Sequence, residues 1–203
     1  MLYIMNAEKK RIYYLKRQII FPHCTLSVIL QKSEIASGIE RGDRLVTYPI
    51  RFMPDLLLYK KKTATLSEVA EIAEKENALT LTLKGLSRVT ITKINRFQEA
   101  EFVPVREVMP DDPEALREEL KKKAQELIFL INVEESDRLI SLMSYLVDLN
   151  QMTDFISNYF ILNFKNRYAL YRERDIEARI TTLMSLIDRL IITIKKKRGD
   201  AVP

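Results

Sequence analysis

The apolar residues of this chain change their spacing once, near Met109-Pro110-Asp111-Asp112-Pro113. Before that stretch they tend to alternate, the period of a strand; after it they recur at three and four, the period of a helix. A single switch of this kind predicts an α+β fold with strands first and helices after, rather than alternating β-α-β units. The boundary divides the 203 residues into a β-rich portion, 1–110, and a helical portion, 111–203. That length suits one large domain or two small ones, each able to bury a core. No repeat with a period of about 20–50 residues runs through the chain, which excludes solenoids and propellers.

In the first portion the clearest alternation covers 78–84, where Leu79, Leu81 and Leu83 share a face, and 88–94, where Val89 and Ile91 do. Thr80, Thr82, Thr90 and Thr92 take the opposite faces, as a half-buried antiparallel pair requires. Gly85-Leu86-Ser87 between them reads as a hairpin turn, with glycine supplying a positive φ. Further strands are predicted over 19–21, 25–30, 44–50, 56–59 and 100–108. Pro49 and Pro104 push two of these toward edges or bulges, because proline cannot donate to a ladder. One short helix is predicted from an N-cap at Ser33 to a C-terminal glycine at Gly42.

The helical portion opens on a strong start signal, Asp112 as N-cap with Pro113 in the first helical position. Leu116, Leu120, Ala124, Leu127, Ile128 and Ile131 form the stripe of the helix that follows. Further helices are predicted over 137–149 and 152–162, and a last one over 175–197. Apolar residues at 176, 180, 183, 187, 190 and 194 give the last helix a coiled-coil-like rhythm. The stripe is too short to define a coiled coil. It therefore reads as a bundle helix, with pairing between two copies of the chain as the other use of the same face.

Composition limits the chemistry. With one His, one Cys and four Gly, there are too few soft ligands for a structural zinc site and almost no material for a phosphate-cradling loop. No Walker motif, dinucleotide fingerprint, His-Glu-x-x-His helix or Gly-x-Ser-x-Gly elbow is present. His23 and Cys24 are adjacent, so on a strand they point to opposite faces, which disfavours a nucleophile–base pair. The neighbouring carboxylates at 111–112, 118–119 and 134–135 sit at predicted helix starts or on polar faces. The expectation is no catalytic residue, no metal and no cofactor. A lone cysteine points to a reducing compartment, and Glu8, Lys9, Lys10 and Arg11 interrupt the start too early for a signal peptide. No apolar run approaches the roughly 18 residues of a membrane span. A soluble, cytoplasmic protein without membrane contact is expected.

Charge is unevenly spread: 18 Lys and Arg face 12 Asp and Glu over 1–110, against 15 and 16 over 111–203. Lys60, Lys61 and Lys62 follow Tyr59, and Lys9-Lys10-Arg11 precede Tyr13 and Tyr14. Cations interleaved with aromatics are the crude signature of a nucleic-acid surface. The stretch from Tyr48 to Tyr59 is apolar but interrupted by Pro49 and Pro54, so it cannot be one regular buried strand. Part of it reads as a loop carrying Phe52 and Met53, with Leu56 close behind. Residues of that kind suit a surface that grips other apolar chains.

Several segments, in order, resemble the N-terminal, substrate-binding domain of Lon proteases. Ile19-Ile20-Phe21-Pro22-His23 followed by 26–30 is similar to the family's opening strand, corner and next strand. Leu66-Ser67-Glu68-Val69-Ala70-Glu71-Ile72-Ala73 is similar to its L-Y-x-V-G-T-V-A segment, and 83–91 to its V-x-G-x-x-R-x-x-I signature. Asp175-Ile176-Glu177-Ala178-Arg179-Ile180-Thr181-Thr182-Leu183 is similar to its D-V-x-x-R-L-x-x-L segment. Ser27, Ala70 and the shortened turn at 76–78 depart from the family pattern. The resemblance covers about residues 12–194 and implies a PUA-like β-barrel with one short helix, then a helical bundle. It implies a non-catalytic module that recognises unfolded or tagged polypeptides beside an AAA+ protease or chaperone. Pro22, Gly85 and Arg88 are the matching positions, expected to be structural: a corner, a turn and a strand-edge charge. The alternative is a nucleic-acid-binding module using the basic β half.

Overall fold

The computed structural model describes residues 8–31, 38–51, 62–75, 78–131, 136–146 and 148–199. The chain divides into two compact units, Met1–Val105 and Arg106–Pro203. The fold class is α+β, as the single change of period requires.

The first unit holds β1 (Glu8–Lys16), β2 (Thr25–Gln31), β3 (Arg44–Ile50), β4 (Lys62–Lys75), β5 (Ala78–Ile94) and β6 (Glu99–Pro104). They form one sheet in the order β2-β5-β4-β3-β1-β6, and β6 pairs again with β5. The pairings β5-β4-β3-β1-β6-β5 therefore close on themselves, which removes the free edges an open sheet would leave there. Only β1 and β3 run parallel; the other pairings are antiparallel. Alternation along β1 sends Ile12 and Tyr14 to one cluster, with Val46, Tyr48, Ala64, Val89 and Phe102. It sends Tyr13 and Leu15 to a second, with Ile20, Val28, Val69, Leu81 and Leu83. A strand buried on both faces reads poorly as alternation, and β1 was not predicted for that reason.

The predicted hairpin at 85–87 does not exist. Residues 78–94 form one strand of 17 residues that pairs with β4 along most of its length. Gly85 lies in the same alternation as Leu81, Leu83, Val89 and Ile91, a register that calls for an inward side chain. The segment before Pro22 takes that space: a Cβ on Gly85 would sit 2.3 Å from the Phe21 carbonyl oxygen and 2.8 Å from an Ile20 methyl. Gly85 N–H donates to the Cys24 carbonyl at 2.9 Å, and His23 N–H donates to the Gly85 carbonyl at 2.9 Å. The glycine serves close approach of two backbones, not a turn.

Other boundaries moved for local reasons. Residues 19–21 are buried but irregular, held by the Thr65 hydroxyl donating to the Ile20 carbonyl at 2.7 Å. Pro49 sits where β3 has left β4 and keeps only β1, so its missing N–H interrupts no β3–β4 pairing. The strand predicted over 100–108 ends at Pro104. The helix from Ser33 falls mostly outside the described residues; from Gly38 on the chain is irregular, and Gly42 has φ +92° in a turn closed by Asp43 N–H donating to Glu40 O. The strand predicted over 56–59 lies outside the described residues.

The second unit holds α1 (Pro113–Ile131), α2 (Ser136–Ser144), α3 (Leu149–Phe160), α4 (Phe164–Arg172) and α5 (Ile176–Gly199). Four of them start on capping side chains that accept a backbone N–H, or are preceded by one: Asp112, Asp148, Asn163 and Asp175. The cap at Asp148 explains why the helix predicted over 137–149 is two elements. Leu120, Ala124, Leu127 and Ile128 of α1 share a core with Ile176, Ile180, Leu183, Ile187 and Ile191 of α5. Ile176, Ile180, Leu183 and Ile187 of the α5 stripe are thus buried inside their own unit, the bundle use of that face, while Leu190 and Ile194 stay half-buried.

Candidate functional site

An open apolar surface lies in the helical unit, where α3 gives way to α4. After Phe160 the backbone turns extended at Ile161, and Asn163 caps α4 by accepting the Asn166 N–H at 3.2 Å. This three-residue link buries Ile161 but leaves Leu162 83% exposed. Arg167 of α4 donates to Asn158 of α3 at 2.7 Å, which fixes the two helices across the link. Beside them runs the flank of α5 next to its buried stripe, with Leu186 and Leu190 half-buried.

Between these elements is a cleft of about 420 Å³ lined by Ile131, Phe160, Leu162, Leu186 and Leu190, with Asn163, Asn166 and Arg189 among its polar residues. A second cleft of about 360 Å³ shares Asn166, Leu186 and Arg189 and continues past Ala169, Thr181 and Ser185. Sharing these three residues, the two clefts line α5 from Thr181 to Thr193, and we treat them as one groove. Arg189 is the one charged residue among the described lining residues of either cleft. Its guanidinium has no ion-pair or hydrogen-bond partner among the described residues. The arrangement offers apolar contact, side-chain amides and one cation.

In the first turn of α5, Arg179 ties together α3, the end of α4 and the segment before α1. Its side chain is fully buried and donates to the Glu173 carbonyl and, at 2.6 Å, to the Glu107 carboxylate; Asp154 lies 3.8 Å away. Asp175 caps α5 and bridges to Val108, while Ile176 enters the core. The Asp-x-x-x-Arg spacing of 175–179 is therefore a structural device: a cap, a core residue and a buried cation one turn on.

Of the residues singled out in the sequence, Phe52, Met53, Leu56, Lys60 and Lys61 lie outside the described residues, and Lys62 opens β4. Pro22 is buried at the corner between β1 and β2. Arg88 is not a strand-edge charge: it is buried within β5, with its guanidinium 5.9 Å from the centre of the Phe21 ring. A cation that packs on the ring of the corner is a fixture of the fold, and strand alternation alone gave no sign of it. In the cation–aromatic stretch at 9–14 the tyrosines are half-buried while Lys9 and Arg11 stay exposed. Lys9 pairs with Glu101 at 3.2 Å; Tyr14 stands edge-on to Tyr48, and burial pushes its hydroxyl pKa up. At the C-terminal basic tip, Lys195 pairs with Glu126 and Arg198 donates to the Leu130 carbonyl. His23 is exposed and Cys24 buried. Among the described residues no group of three or more His, Cys, Asp or Glu is placed to hold a metal, and no helix is long and apolar enough to cross a membrane.

The groove was missed because its residues carry other signals. Leu162 falls at the end of an amphipathic helix pattern and Leu190 in the core stripe, while α4 has no strong apolar period. The available hint was surplus: Leu186 and Leu190 widen the α5 stripe beyond what one partner helix covers.

The sequence profile of the ATP-dependent protease La (LON) substrate-binding domain matches residues 10–189. Among solved structures, the fold is similar to the N-terminal domain of the Mycobacterium avium complex Lon protease, with a TM-score of 0.69 and 16% identity over 89% of this chain and 98% of that one. It is also similar to the Lon N-terminal domain protein from Xanthomonas campestris, with a TM-score of 0.56 and 12% identity over 88% and 98%. Comparison with curated proteins finds no match. At such identities the structural likeness is one of fold.

Proposed function

The chain belongs to the ATP-dependent protease La (LON) substrate-binding domain family, and from that premise we propose that it recognises polypeptides without cutting them. Its targets in this reading are unfolded or tagged proteins with exposed apolar segments, met in the cytoplasm. An AAA+ protease or chaperone supplies the ATPase and peptidase chemistry. The observation that carries the reading is the open groove beside α5, whose Leu162 end is apolar, whose rim carries side-chain amides, and whose described lining holds no nucleophile–base pair. Phe52, Met53 and Leu56 add a second apolar contact in this proposal, on the segment that connects β3 to β4.

Photo-crosslinking of the full chain to a carboxymethylated, permanently unfolded protein tests it. The expected result is strong crosslinking to the unfolded form and little to the same protein folded, reduced in Leu162→Ser and in the double variant Phe52→Ser, Met53→Ser. Equal crosslinking to folded and unfolded forms would reject polypeptide recognition; undiminished crosslinking in one variant would reject that surface.

A further inference from the structure

The groove has a chemical bias that the reading above does not use. Its Leu162 end is mostly apolar, and the single charge among its described lining residues is Arg189, which lines both clefts and has no partner among the described residues. An apolar trough whose described lining carries one guanidinium without a described partner discriminates among apolar peptides by charge. It favours a carboxylate, which a guanidinium binds in bidentate fashion, and disfavours a lysine. Asn166 lines both clefts and Asn163 the first, and their side-chain amides supply donors and acceptors for a peptide main chain.

Length sets the size of the occupant. From Thr181 to Thr193, at about 1.5 Å per helical residue, the groove runs roughly 18 Å along α5. At about 3.3 Å per residue that holds some five residues of extended chain. Its two parts differ: the Leu162 side is apolar, while the far side presents Thr181, Thr182 and Ser185. Because the groove continues past Arg189 rather than ending there, a chain lying in it continues too. The carboxylate is then a side chain within the segment, not the chain terminus.

We infer that the groove along α5 binds an extended polypeptide segment in which apolar residues are followed or preceded by an internal Asp or Glu, the apolar side chains lying against Leu162 and Leu190 and the carboxylate on Arg189. This rests on the polypeptide-recognition reading and narrows it to a class of sequence: acidic-flanked apolar segments are selected, basic-flanked ones rejected.

The test is fluorescence anisotropy on the full chain with labelled eight-residue peptides, acetylated and amidated, carrying three apolar residues and then Glu, Gln or Lys. A fourth peptide carries Gln and a free C-terminal carboxylate. The Glu peptide is expected to bind about fivefold more tightly than its Gln twin, the scale of one charge-assisted contact at an exposed site, with the Lys peptide weaker still. Arg189→Gln should erase the Glu–Gln difference and keep the residual apolar binding. Leu162→Ser, at a side chain exposed to solvent, should weaken all of the peptides alike while the helical circular dichroism stays unchanged. Equal binding of the Glu and Gln peptides, or discrimination that survives Arg189→Gln, overturns the inference. Tight binding of the free-acid peptide alone also overturns it, in favour of terminus capture, as does sedimentation showing a dimer that Leu162→Ser dissolves. If the unfolded protein still crosslinks while the Glu and Gln peptides bind equally, this inference falls and the broader reading stands; if neither binds, both fall.

Discussion

Two glycines separate the two reasons a chain needs glycine. At Gly42, with φ +92°, an added Cβ meets nothing within 4 Å, so Gly42→Ala carries only the left-handed backbone penalty of about 1–2 kcal/mol. At Gly85 the backbone is ordinary strand, but the Cβ would enter the Phe21 carbonyl. A backbone atom cannot step aside as a flexible side chain does, so Gly85→Ala is predicted to cost about 3 kcal/mol or more, the upper end of overpacking effects. Urea denaturation of the two variants checks both values, and a neutral Gly85→Ala would refute the close-approach account. Arg179 makes the corresponding case for charge. Arg179→Met leaves the Asp154 and Glu107 carboxylates without their buried cation, and a loss of about 3–5 kcal/mol is expected in the thermal unfolding of the full chain. The family pattern singles out Gly85 and Arg88, but for other reasons than those the structure shows. Gly85 looked like a turn because glycine most often signals one, and Arg88 looked exposed because arginine usually is. Close approach of two backbones and the stacking of a cation on a buried ring are long-range facts, absent from any local window.

Among elements, the legible ones had both a period and a stop signal. Asp112-Pro113 marked the start of α1, and β3 was read over 44–50, its observed extent. Asp112→Ala is predicted to lose about 1 kcal/mol, since its carboxylate accepts the Ala115 N–H at 3.0 Å. What escaped were elements whose pattern tertiary packing overrides: β1, buried on both faces, and α4, a nine-residue helix with few buried side chains. The α1–α5 pair also gives a pH signature. Lys123 of α1 lies 2.7 Å from Asp188 of α5, and that hydrogen bond raises its pKa above the ordinary lysine value. A raised folded-state pKa means the contribution is complete below the unfolded value and is lost as pH rises through the folded one. Asp188→Asn is therefore expected to destabilise by a few tenths of a kcal/mol near neutrality, as exposed pairs do. The difference from wild type should shrink in strongly alkaline buffer. A difference that grows with pH would contradict the assignment.

For the molecule as a whole, the change of apolar period anticipated the order of the architecture: a sheet closed through β5, then a helical unit with its own core. It could not anticipate the groove, because a groove is what remains after helices pack, and Leu162, Leu186 and Arg189 acquire a common purpose only once α3, α4 and α5 are placed. Scarcity of His, Cys and Gly, read at first as missing chemistry, is consistent with a module that works by apolar contact and one cation. In the function proposed above, the module selects the unfolded state of its targets. The most direct measurement is the binding isotherm of the full chain with one labelled protein, compared in its native form and in its reduced, carboxymethylated form. Saturable binding of the unfolded form, no measurable binding of the native form, and weaker binding by Leu162→Ser are expected. Equal affinity for the two forms, or no binding of the unfolded one, would contradict that function.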